Sequence, residues 1–169
     1  MAVLLIPTPP QAERSAGLPA IDFSDCYHGH TVRSSVTAMQ AARAMFERPP
    51  AWVNALMATR DGVVRRLGLK TSRDAVGDGE KLKAGIFPVL SEMPNEVVLG
   101  LDDKHLDFRI WVSAQAADGG TDIRISTLVR LHGRPGRIYL FLIMPFHKLL
   151  SRLMLSRALT AFDGDRAKR

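Results

Sequence analysis

HLDFRIWVS, residues 105–113, is the stretch whose reading decides the fold. Leu106, Phe108, Ile110 and Val112 alternate with His105, Asp107, Arg109 and Trp111, and successive side chains of a strand point to opposite faces. A period of two predicts a strand with one uniformly apolar face. Left in water, each large side chain on that face would forgo about 1.5–3 kcal/mol. The face therefore has to be covered, which puts the His105, Asp107, Arg109 row on the wetter side.

The neighbouring segments repeat the pattern. Residues 116–120 (AADGG) make a turn, and beyond it Ile123, Ile125, Thr127, Val129 and Leu131 share one strand face, with Arg124, Ser126 and Arg130 opposite. Upstream, EVVLGL (96–101) is short and β-branched. Residues 86–90 form a strand interrupted by Pro88, which predicts an edge position or a bulge. A long helix is expected from Gly136 to about Leu159, bent at Pro145. It is the one element apolar and long enough to cover the sheet.

Towards the N-terminus, Pro7, Pro9, Pro10 and Pro19 predict an extended arm over residues 1–20. Residues 21–36 read as a first strand and its turn, weakened by Gly29. Thr37 and Gln40 have capping-box spacing ahead of the helix formers at 41–46. Pro49 and Pro50 then start a second helix, in which Val53, Leu56, Met57, Val63, Val64 and Leu67 mark one face and Gly68 is the stop. Residues 71–84 read as a loop. The chain is thus read as α+β: an arm (1–20), one domain in which an antiparallel sheet wraps a long C-terminal helix (21–160), and a basic tail (161–169).

Composition bounds the function. At 169 residues, with 46% hydrophobic and 24% charged side chains, the chain fits one domain with a sizeable core. Cys26 is the single cysteine, so no internal disulfide forms, and a reducing cytoplasm is the expected location. The opening MAVLLIPTPP has no basic residue before its short apolar run and reads as neither a signal peptide nor a span. Ten Lys/Arg against Asp163 and Asp165 give residues 124–169 a charge of +8, within a total of +6. That excess suits an anionic membrane surface or an acidic partner protein; a solvated helix face accounts for it as well. No recognised nucleic-acid module or interleaved aromatics accompany it, so nucleic acid is not expected as a partner.

Three stretches, PPAWVNALMATRDGVVRRLGLK (49–70), GIFPVLSEMPNEVVLGLDDKHLDFRIWV (85–112) and GRIYLFLIMPFHKLLSRLML (136–155), resemble an uncharacterised bacterial family, domain of unknown function 2867. The LGLDDKHLDFR segment, 99–109, is the most specific part. The resemblance implies a relation to the START and birch-pollen-allergen superfamily, whose helix-grip members curl a sheet around a C-terminal helix and often enclose an apolar cavity. It implies no catalytic residues. Some relatives carry nucleotide-binding oxidoreductase domains, and this sequence contains no such domain.

Motifs for phosphate loops, dinucleotides, zinc proteases and nucleophile elbows do not occur, so no cofactor is expected. Cys26, His28 and His30 would share one strand face and are zinc-type ligands, but a fourth ligand is not evident nearby, and metal binding is not expected. His105, Asp107 and Arg109 supply an imidazole, a carboxylate and a guanidinium, enough for acid–base work or for holding an anion. Cross-strand pairing accounts for them more simply. The run from Ile138 to Phe146 is apolar all round and reads as buried helix, with interfacial insertion as the alternative. The leading functional expectation is a non-catalytic module binding an apolar or amphipathic small molecule against Leu106, Phe108, Ile110, Val112, Phe146 and Leu150. A small hydratase, cyclase or isomerase using the polar row is one alternative. An accessory domain docking on a membrane or partner protein through the basic helix is the other.

Overall fold

The computed structural model describes residues 2–47, 82–102 and 105–166. The second helix expected after Pro49, with Trp52 and Gly68, lies outside the described residues. So does most of the 71–84 loop.

Seven antiparallel strands form one sheet: β1 (Leu4–Ile6), β2 (Phe23–Thr31), β3 (Lys83–Ala84), β4 (Phe87–Met93), β5 (Glu96–Asp102), β6 (Leu106–Ala117) and β7 (Gly120–Leu131). Their order across the sheet is β1-β2-β7-β6-β5-β4-β3. The longest ladder joins β6 to β7 from Leu106↔Leu131 to Ala117↔Gly120. Two residues close that hairpin, and Gly119 takes the positive φ of 75° that glycine tolerates without steric cost. Pro88 lies in β4 just before a register shift between Val89 and Ser91, the irregularity that a strand proline predicts.

Three helices complete the described fold: α1 (Pro10–Ala16), α2 (Ala38–Phe46) and α3 (Gly133–Arg166). Thr37 caps α2 through both bonds of a capping box: its hydroxyl accepts from Gln40 N–H, and Gln40 Oε1 accepts from Thr37 N–H. On the inner face of the sheet α2 lies over β5 and β6, and α3 lies over β2 and β7. Val97, Leu99, Val112 and Ile123 meet Met45, Leu155 and Leu159 there in one buried cluster. Gly29 suits this packing, because a Cβ on it would press on Leu159 Cδ1 and the leucine would have to shift. Past that contact, the Thr31 hydroxyl and the Val32 N–H both donate to Asp163, pinning the far end of α3 to the end of β2. The architecture is α+β and helix-grip-like, an antiparallel sheet against a long C-terminal helix.

Three expectations need correction. Residues 1–20 are not an extended arm: β1 pairs with β2, and Pro10 occupies the first turn of α1, where its missing N–H is no loss. Residues 161–166 continue α3 instead of beginning a tail. The apolar run 138–146 is not buried helix, since Ile138, Phe141, Leu142 and Phe146 are all exposed. The sheet-facing residues from Ser151 to Phe162 supply the cover, so the first half of α3 can turn one side outward.

Candidate functional site

The inner face is laid out in rows across β2, β7 and β6. Phe23, Val129 and Phe108 are direct neighbours in one row; Asp25, Thr127 and Ile110 form the next, and Tyr27, Ile125 and Val112 the one after. From the Tyr27 row onward the face is closed by α3. Around the Phe23 row it is half-open, with Phe23, Leu101, Leu106, Phe108 and Leu131 only partly buried. An edge-to-face chain links Phe46, Phe87 and Phe108 on the α2 side, with ring centroids 5.2 and 5.7 Å apart.

A polar group stands where the closed and half-open regions meet. Asp25 is buried on this largely apolar face, opposite Thr127, and its Oδ2 lies 3.0 Å from His147 Nε2 on α3. The edge of the Phe23 ring against the imidazole, 6.0 Å between centroids, also holds His147 in place. Asp25 Oδ1 is buried with no hydrogen-bond partner among the described residues. Tyr27 is the next inward-facing residue on β2; burial pushes its hydroxyl pKa up, and the charge and close approach of the Asp25 carboxylate push the same way, against Arg152. A buried acceptor left unsatisfied costs about 1–3 kcal/mol, which a ligand hydroxyl or amine donating to it would recover.

Of the six residues expected to line a ligand site, four lie in or against one core cluster. Ile110 and Val112 are filled-in core under the helices. Phe108 and Leu150 are partly buried at the margin of that core, and Leu106 is half-buried at the start of β6. Phe146 is 54% exposed. Of the six, Leu106 and Phe108 belong to the half-open region.

The polar row lies on the opposite, outer face and diverges. Arg109 Nη1 is 2.6 Å from Asp102 on β5 and also donates to the Phe108 carbonyl. Asp107 pairs instead with His132 at 2.9 Å and, more loosely, with Arg130. His105 precedes β6, and its carbonyl accepts from His132 N–H. These contacts tie β6 to its neighbours and do not converge on one reacting point. Arg109 is nevertheless 9% exposed, drier than an outer face implies, because its guanidinium folds back onto strand carbonyls.

The outer face has its own cover. α1 packs over Trp111, Val98 and Leu128. The buried Glu96 carboxylate accepts from Gln11 Nε2, Ser15 Oγ and Trp111 Nε1 at 2.7, 2.8 and 2.9 Å. Farther along, Asp122 accepts from His30 at 2.9 Å, with His28 at 3.4 Å. Burial alone would raise the Asp122 pKa, but these imidazoles outweigh it and hold the carboxyl below its ordinary value. Cys26 is fully buried on this face, and burial pushes its thiol pKa up. No group of three or more His, Cys, Asp or Glu among the described residues could hold a metal ion. An open cleft of about 660 Å³ by α1, between Arg14 and Phe23, contains none of the expected site residues.

Asp25 and His147 were missed from sequence because 122 positions separate them. The available signal was a carboxylate in phase with Phe23 and Tyr27, on the side of β2 that faces the helices. No match among curated proteins was found. The family model described as "Protein of unknown function (DUF2867)" matches residues 18–154. That span includes β2 to β7, α2 and the part of α3 that carries His147, so the chain belongs to this family.

Proposed function

We propose that this protein is a binding module for an apolar or amphipathic small molecule, held between the half-open inner face and the first half of α3. The observation that carries the reading is the buried, unpartnered Asp25 Oδ1 beside a half-covered apolar row. Apolar walls with a few placed polar groups are the usual composition of such sites. The carboxylate selects the ligand class, an apolar body with a hydroxyl or amine able to donate. The kinship with START-like helix-grip proteins suggested by the sequence agrees with this placement and belongs to the same proposal, and an unpaired Cys26 suits a reducing cytoplasm.

The test is a fluorescence titration with naphthol and its methyl ether, which differ in one donor. Naphthol should bind about tenfold more tightly, the equivalent of one hydrogen bond, and Asp25→Ala should remove the difference. Equal binding of both probes, unchanged by Asp25→Ala in a protein that still melts cooperatively, would defeat the proposal.

A second reading uses the same pair. A carboxylate fixing an imidazole is an arrangement used for proton transfer. Recovery of a bound donor ligand as an isomer or hydrate after incubation would favour an enzyme, and recovery unchanged favours a carrier.

A further inference from the structure

We propose that the outward side of the first half of α3 seats on an anionic lipid bilayer. Ile138, Phe141, Leu142, Phe146 and Leu149 are 61, 80, 56, 54 and 60% exposed. At about 100° per residue they fall within an arc of roughly 140°, pointing away from His147, which contacts Asp25 and Phe23 on the sheet. Five large apolar side chains in one stripe make a larger contiguous patch than scattered surface residues do.

Charge selects the occupant. Arg134, Arg137, Lys148 and Arg152 are exposed along one margin of the stripe. No acidic residue occurs between Asp122 and Asp163, so nothing on this length of chain opposes an anionic surface. Apolar side chains flanked by basic ones are the signature of a helix lying in the plane of a bilayer interface.

By length and composition α3 could also cross a membrane, with a mean hydropathy of 1.4 over its most apolar window. The packing opposes that use, because Met154, Leu155, Ala158 and Leu159 on the same helix are buried against the sheet. Only the first half is free to insert, and its stripe spans about 17 Å along the surface. This proposal stands apart from the ligand site and does not depend on it.

The experiment is cosedimentation of the full chain with vesicles of phosphatidylcholine alone and of phosphatidylcholine with phosphatidylglycerol. Binding should require the anionic lipid and weaken as salt is raised. Phe141→Ser, at the most exposed position, should reduce it about tenfold while leaving the melting temperature unchanged; Arg134→Glu with Arg137→Glu should do the same. Three results would overturn the proposal: no binding to anionic vesicles, binding unaffected by Phe141→Ser, or a solution dimer that Phe141→Ser dissociates, which would assign the stripe to a second copy of the chain.

Discussion

Replacing Glu96 by alanine tests how the outer face is held. Glu96 is 5% exposed and accepts three hydrogen bonds, two from α1 and one from the indole of Trp111. Trp111 is 1% exposed, so its N–H would lose its acceptor without gaining water, a loss of about 1–3 kcal/mol. Gln11 and Ser15 are only part-buried and can turn to solvent, which limits their share to about 0.5 kcal/mol each. Removing a buried carboxylate also relieves its own desolvation, which offsets part of the loss. The net expectation is about 1–3 kcal/mol of destabilisation, read from urea unfolding followed by Trp fluorescence. Amide exchange should accelerate first across Pro10–Ala16, because α1 loses its polar attachment. A double-mutant cycle with Trp111→Phe should show coupling of about 1 kcal/mol or more. A cost below about 0.5 kcal/mol with no coupling would refute the view that Glu96 fastens α1 to the sheet.

Other expectations follow from burial and charge. Leu155→Ala, at a fully buried site, should cost about 2–5 kcal/mol in chemical denaturation, whereas Phe108→Ala should cost less because its ring borders the half-open region. Cys26 should resist alkylation at neutral pH in the native protein and react on unfolding, since it is buried and its thiol pKa is raised by that burial. Asp122 has a folded-state pKa below its ordinary value, so its contribution is fully present above about pH 4 and disappears as pH falls through the lowered value. Asp122→Asn should therefore flatten the acid limb of stability against pH; an identical limb would show that the His28 and His30 contacts contribute nothing.

The sheet was legible because its strands obey one rule. Leu106 to Val112 and Ile123 to Leu131 alternate cleanly, and the Thr37–Gln40 capping box announced α2. The N-terminal elements were not legible. β1 is three residues long, and α1 buries only Ala12 and Ala16, too little apolar area for periodicity to register. Trp111 is the one sign of them in the sequence, since a large aromatic among polar residues on one strand face calls for its own cover. The outward side of α3 was hidden for a different reason. A run apolar on every side does not reveal which side faces the sheet, and Ser151 to Phe162 took that role. The Asp25–His147 pair depends on where α3 crosses β2, which no spacing in the sequence encodes.

The central claim is that ligand enters beside Asp25 on the inner face. Its most direct test is to map naphthol binding by amide chemical-shift perturbation in the full chain. The largest shifts should fall at Phe23, Asp25, Phe108, Thr127 and His147, and Asp25→Ala should abolish them. Shifts confined to Glu13, Arg14, Leu18 and Ile21 of the outer cleft, or to the paired His105, Asp107 and Arg109 row, would contradict the account.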